Sequence, residues 1–265
     1  MTERFQFGEN WSRFLEVVDD ERIAEAERGL TRLLGADAVR GRRFLDVGSG
    51  SGLSSLAALR LGAARVHSFD YDAQSVACTA EMKRRYAPVA DHWTIERGDI
   101  LDDAYANALG NWDIVYSWGV LHHTGRMWDA IGAAARVVAD GGALFIAIYN
   151  DQGRTSRYWT RVKKLYNRNA AGRALVVGAH VPYWIARGAA GDAVRLRNPA
   201  ARYRSYKRGR GMSLVHDWID WLGGYPFEVA RPEAIIRFLR ERGFTLHDLT
   251  TTGGLGCNEF VFRKT

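Results

Sequence analysis

"RFLDVGSGSGLSSLAALRLGA", residues 43–63, decides how this chain is read. An apolar run containing Asp46 leads into glycines at positions 48, 50 and 52, and an alanine- and leucine-rich segment follows. A strand, a glycine turn and a helix in that order let backbone approach a nucleotide closely. The spacing narrows the choice. A dinucleotide fingerprint, G-x-G-x-x-G, needs its third glycine at position 53, which is Leu53; the third glycine comes one residue early, at Gly52. Asp46, two residues before Gly48, repels a pyrophosphate and suits a cationic or zwitterionic ligand. No Gly-Lys-Ser/Thr follows, so the turn is not a P-loop.

Outward from the turn, short apolar runs alternate with helical periodicity. Residues 14–40 have helical spacing, with Gly35 as a C-cap. "RVHSFDYD" is a second strand, "AQSVACTAEMKRRYA" a helix stopped near Pro88, and "WTIERGDI" a third strand. "WDIVYSWGVLHH" is a fourth strand, apolar almost throughout, as expected where both faces are covered. "MWDAIGAAARVVADGG" is a helix and "ALFIAIYN" a fifth strand. The chain closes with the helix "RPEAIIRFLRERGF" and two strands, "TLHDLTT" and "NEFVFRK", around a glycine-rich turn. Alternation of this kind predicts an α/β domain with a doubly wound, mostly parallel sheet.

Asp70 ends the second strand twenty residues after Gly50, the place for a carboxylate that accepts ribose hydroxyls. Asp99 ends the third strand, within reach of an adenine amine. Three acids at successive strand ends beside this turn are far more specific than the glycines alone.

The series "LDVGSGSG", "FDYD", "RGDI", "WDIVYSWGVLHH" and "ADGGALFIAIYN" resembles the class I S-adenosylmethionine-dependent methyltransferases. Its small-molecule branch, which includes quinone-biosynthesis methylases, is the nearest likeness. The resemblance covers residues 40–150 and the terminal hairpin. It implies a Rossmann-like, seven-stranded sheet with an antiparallel last strand, and S-adenosylmethionine as cofactor. Asp46 and the turn Gly48, Ser49, Gly50 and Gly52 would line its methionine part. Asp70 would hold the ribose with Tyr71 beside the adenine, Asp99 and Ile100 would read the adenine, and Ser117 and Trp118 would line the pocket beyond. Asn10 and Trp11 either fold over the cofactor or staple the N-terminus to the core.

A hydroxyl acceptor needs a base near neutral pKa, for which histidine serves best. His122 and His123 follow the fourth strand, and His216, beside Asp217, is a rival. Substrate-contact candidates are Asn150, Tyr158, Trp159, Asn258 and Glu259. The last two either border the substrate mouth or merely close the hairpin. Oxygen is the favoured acceptor atom, with nitrogen or carbon, a lipid-like quinone precursor among them, as alternatives. An NAD-dependent oxidoreductase and a non-catalytic cofactor-binding protein are the wider rivals.

The alternation breaks after Asn150. Residues 151–210 carry fifteen Lys or Arg and two acids, a balance of +13, against a net +7 for all 265 residues. The rest is therefore about −6. The expected organisation is an N-terminal helical cap (1–40), a cofactor core (41–150), a basic, aromatic helical lid (151–225) and a returning helix with the hairpin (226–265). Such an insertion suits a small acidic or aromatic substrate, an anionic membrane surface or a dimer contact. RNA ranks lower, since no RNA-binding module is present, and DNA is not expected. Cys78 and Cys257 make neither a disulfide framework nor a metal pattern, and His122–His123 lacks a spaced third ligand, so no metal is expected. No eighteen-residue apolar run and no signal-like N-terminus occur, which makes the cytoplasm the expected compartment.

Overall fold

Apolar runs such as FLDV and FIAI bury both faces only when helices cover a parallel sheet from above and below. The computed structural model shows that arrangement and describes residues 8–35, 37–195, 218 and 221–265. Two N-terminal helices, α1 (Gly8–Leu15) and α2 (Asp20–Leu34), precede β1 (Arg43–Val47). Then follow α3 (Leu53–Arg60), β2 (Arg65–Asp70), α4 (Ala73–Tyr86), β3 (Trp93–Arg97), α5 (Asp103–Ala108) and β4 (Trp112–Trp118). After α6 (Met127–Arg136) and β5 (Val138–Tyr149) come α7 (Arg154–Tyr166) and α8 (Ala170–Val194). The chain ends with α9 (Pro232–Arg240), β6 (Phe244–Thr250) and β7 (Cys257–Lys264).

The seven strands lie in the order β3-β2-β1-β4-β5-β7-β6. β7 runs antiparallel to both β5 and β6, so Cys257 pairs with Tyr149 at the carboxyl end of β5. The hairpin turn therefore shares an edge with the glycine turn. Alternation along β1 sends Leu45 and Val47 into one apolar layer, with α6 and α9, and Phe44 into the other, with α2 and α3.

Several boundaries differ from the sequence reading, each for a local reason. The N-terminal helix is two helices, because Asp19 leaves helical geometry and its side chain accepts the Arg22 N–H to start α2 afresh. The fourth strand stops at Trp118: Gly119 turns the backbone to φ +74°, and Leu121–His123 forms a 3₁₀ turn instead of continuing the strand. β5 begins at Val138, before its apolar run, where it pairs with Trp112. The short helix α5, capped by Asp102, carries no apolar period long enough to be read from sequence.

Two compact units separate: Gln6–Ser156 with Glu228–Thr265, which holds the sheet, and Arg157–Phe227. In the second, Val162, Tyr166, Val176 and Leu222 form a small core packed with Trp159, Trp184 and Trp221. The helical lid expected from the sequence contains α7 and the longer α8, which has Pro182 inside it. At the base of the excursion the sheet unit is stitched closed. Ala230 donates to the Tyr149 carbonyl (3.0 Å) and accepts from Asp151 (3.2 Å), forming a parallel bridge with Asn150.

Phe260 of β7 is fully buried opposite Ile146 and stacks on Phe262. Replacing it with alanine should cost about 3–5 kcal/mol, the range for a buried aromatic truncation, read as a lowered urea midpoint with an unchanged slope.

Candidate active site

The turn after β1 is a backbone knot built on its glycines. Gly48 and Gly50 both have positive φ, and a Cβ on either would strike a neighbour: Val120 at 2.4 Å for Gly48, the Trp11 indole at 2.8 Å for Gly50. The N–H groups of Gly48 and Ser49 donate to the Phe69 carbonyl, and the Gly50 N–H donates to Asp70 Oδ2 at 3.0 Å. Asp70 Oδ1 accepts the Asp72 N–H at 2.9 Å. Ser49 and Thr79 pair their hydroxyls at 2.9 Å, and the Thr79 hydroxyl lies 3.2 Å from the Gly50 carbonyl. Thr79 is a support that sequence reading missed; nothing distinguishes it within α4 until the turn is seen against it.

The N-terminal segment belongs to this corner. The Gly8 N–H donates to Asp72 Oδ2, Ser12 contacts Gln74 and Cys78, and Arg85 donates to the Leu15 carbonyl. Trp11 is thereby laid against Gly50. Asn10 lies in α1, its side chain outside what the structure describes.

Asp46 is buried and points toward α3, where the Ser55 hydroxyl donates to Oδ2 at 2.5 Å. Ser55 pairs with Ser68, which accepts the Trp93 indole N–H at 2.8 Å. Desolvation pushes the Asp46 carboxyl up to about 7, opposed by the Ser55 hydrogen bond and reinforced by the negative field of Asp70. Asp70 is raised to about 6, again chiefly by burial.

The remaining candidates sort by position along the carboxyl edge. Tyr71 is half exposed, with the Arg97 guanidinium 5.7 Å from its ring centroid. Asp99 accepts the Leu101 N–H and Ile100 is buried beside it. Ser117 is fully buried and donates to the Val47 carbonyl, which makes it a strand-to-strand tie. Trp118, next along, is exposed and donates to Glu259 across the edge at 2.9 Å. His122 is fully buried, its ring 4.2 Å from that of Tyr149, and its carbonyl accepts the Glu228 N–H. His123 is only part-buried and packs edge-on to His122.

Asn150 donates to the Thr252 carbonyl, while Asn258 accepts the Thr252 N–H; both brace the hairpin turn. Asn258 is fully buried, and its Nδ2 has no hydrogen-bond partner among the described residues. Tyr158 and Trp159 belong to the Arg157–Phe227 unit, where the Tyr158 hydroxyl pairs with His180. His216 lies outside the described residues.

This strand order and glycine turn have counterparts among known proteins. Residues 45–144 match the family described as a methyltransferase domain. The core is thus similar to a class I methyltransferase domain. Among curated relatives, the ribosomal protein L11 methyltransferase of Anoxybacillus flavithermus is 31% identical over 115 residues, 38% of this chain and 36% of that protein. The chain thus spans little more than a third of that relative's length. Among solved structures, an O-methyltransferase family protein from Burkholderia thailandensis superposes with a TM-score of 0.56 at 14% identity, covering 98% of this chain and 63% of the other. The N-methyltransferase NodS from Bradyrhizobium japonicum, in complex with S-adenosylhomocysteine, gives 0.52 at 15% identity, covering 97% of each. At such identities the likeness is one of fold.

The raised Asp46 pKa carries a definite sign. Its folded value of about 7 lies above the unfolded value near 3.9, so the group's stabilising contribution is full below pH 4 and lost as pH rises through 7. In the ligand-free chain, Asp46→Asn should remove much of that decline, which is worth up to about 4 kcal/mol. Urea unfolding at pH 5 and pH 8 checks it: the native chain loses stability between the two, and the variant loses much less.

Proposed function

We propose that the chain transfers the methyl group of S-adenosylmethionine to a hydroxyl of a small molecule. The observation that carries this reading is the glycine turn hydrogen-bonded to the part-buried Asp70 carboxylate. Backbone groups of Gly50, Asp72 and Tyr71 hold Asp70 from the protein side, and a carboxylate offers about four acceptor positions. What remains fits a ribose hydroxyl. Asp46 and Asp70 already raise one another's cost of ionisation. A ligand carrying sulfonium and ammonium charges relieves that strain, whereas a pyrophosphate adds to it. Asp99 and the Ile100 backbone supply an adenine-binding edge, with Tyr71 alongside.

Bound there, the cofactor supplies an activated methyl group. The protein aligns the acceptor and removes its proton. We assign the base to His123, because full burial and packing against Tyr149 make His122 a supporting ring. A neutral imidazole at His123 accepts a hydroxyl proton. The need for such a base favours oxygen over a neutral amine nitrogen.

Calorimetry with S-adenosylhomocysteine and with NAD tests the cofactor site: the first should bind, and tighter binding of NAD would overturn the reading. Asp70→Asn should weaken S-adenosylhomocysteine binding ten- to a hundredfold, from charge-assisted hydrogen bonds worth roughly 1.5–3 kcal/mol. Because the ligand needs the ionised carboxylate and Asp70 titrates at about 6, native affinity should be level above pH 7 and fall about tenfold per unit below pH 6. The Asn variant should show no such slope.

A further inference from the structure

The second unit presents an outward surface that the methyl-transfer reading does not use. On α7, Trp159, Val162, Lys163 and Tyr166 turn into the small core or lie against it. Arg157, Arg161 and Lys164 are exposed, and Arg168 is exposed in the turn that follows. Spacings of four, three and four residues put these cations on one face. Like charges at such spacings repel and cost helix stability. No neighbour in sequence offsets them, since residues 152–191 contain eight Lys or Arg and no Asp or Glu.

α8 is equally unusual on its outer side. Val176, Val181 and Trp184 pack inward. Leu175, Tyr183, Ile185 and Val194 are exposed, at 64%, 59%, 41% and 86%, between exposed Arg173, Arg187 and Arg195. A helix facing water would carry charged or amide side chains at most of those positions. Among the described residues no helix is long and apolar enough to cross a membrane. An apolar outer face bordered by arginines is the pattern of a helix lying in a headgroup layer, its aliphatic side chains against acyl tails and its cations on phosphates.

We propose that the outward faces of α7 and α8 bind the surface of an anionic phospholipid bilayer, holding the chain there peripherally. Charge complementarity selects this occupant. A second copy meeting the same patch about a two-fold axis would set arginine against arginine, with no acid on either side. RNA would explain the cations but not Leu175, Ile185 and Val194, which offer no ring for a base to stack on. The proposal does not rest on the methyl-transfer reading.

Vesicle co-sedimentation of the full chain tests it. The chain should pellet with phosphatidylcholine vesicles containing phosphatidylglycerol and stay in solution with phosphatidylcholine alone, and added salt should release it. Arg161→Ala with Lys164→Ala should weaken binding about thirtyfold, the effect of removing two cations from a charged surface. Tyr183→Ser with Ile185→Ser, which leaves every charge in place, should also weaken it at least tenfold. All four positions are exposed, and an unchanged melting temperature and S-adenosylhomocysteine affinity would show that fold and cofactor site survive. Equal binding to neutral vesicles, no binding to either kind, or indifference to both double variants would overturn the proposal. So would light scattering that shows a dimer dissociated by the Tyr183/Ile185 variant while vesicle binding is absent.

Discussion

The hydrogen bond from the Gly50 N–H to the Asp70 carboxylate joins the ends of two adjacent parallel strands. It spans twenty residues of chain, and Gly50 takes a positive φ at the point where it forms. Once formed, it fixes the turn, and the turn fixes its surroundings. Val120 packs where a Gly48 side chain would be, Trp11 where a Gly50 side chain would be, and Thr79 rests beneath Ser49. The carboxylate is oriented from the protein side before any ligand arrives, and preorganisation of that kind spares the ligand the cost of ordering its own site.

The same corner concentrates negative charge where water is scarce. Asp46 is held by a chain of hydroxyls running through Ser55 and Ser68 to the Trp93 indole. That chain is fully buried on the α3 side of the sheet, so Asp46 shapes the field of the turn more than it offers a contact surface. Stability is given up at this point, since burial raises both carboxyls above their ordinary range and makes their charged forms costlier than in the unfolded chain. The natural compensation is a ligand that brings positive charge with it.

Much of this was legible because two periods coincide in the sequence. Apolar runs of five to eight residues, each closed by glycine or an acid and followed by a helical stretch, admit few arrangements other than a doubly wound sheet. Asp70 and Asp99 were singled out because strand ends are where such sheets bind ligands, and the structure places both at the carboxyl edge. What escaped was side-chain direction. Ser117 and Trp118 are neighbours on a strand and must face opposite ways; the serine turns in to Val47 and the tryptophan out to Glu259. His122 and His123 look equivalent in sequence, yet a 3₁₀ turn rotates successive residues by a third of a circle, burying one and leaving the other partly open. The basic residues after Asn150 left substrate, membrane and dimer readings open, and helical spacing places Arg157, Arg161 and Lys164 of α7 on an exposed face. The strand that was expected to reach His123 stops at Trp118, where the positive φ of Gly119 turns the chain despite the apolar Val120 and Leu121 that follow.

The bridge between Asn150 and Ala230 has a consequence for how such a chain diversifies. It brings the departure and return points of the second unit into register on the sheet unit itself. The entropy of closing a loop rises only with the logarithm of its length. An excursion anchored at both ends can therefore be lengthened, shortened or replaced at little cost to the sheet. A change of length or surface in the Arg157–Phe227 unit therefore need not disturb the glycine turn and its acids.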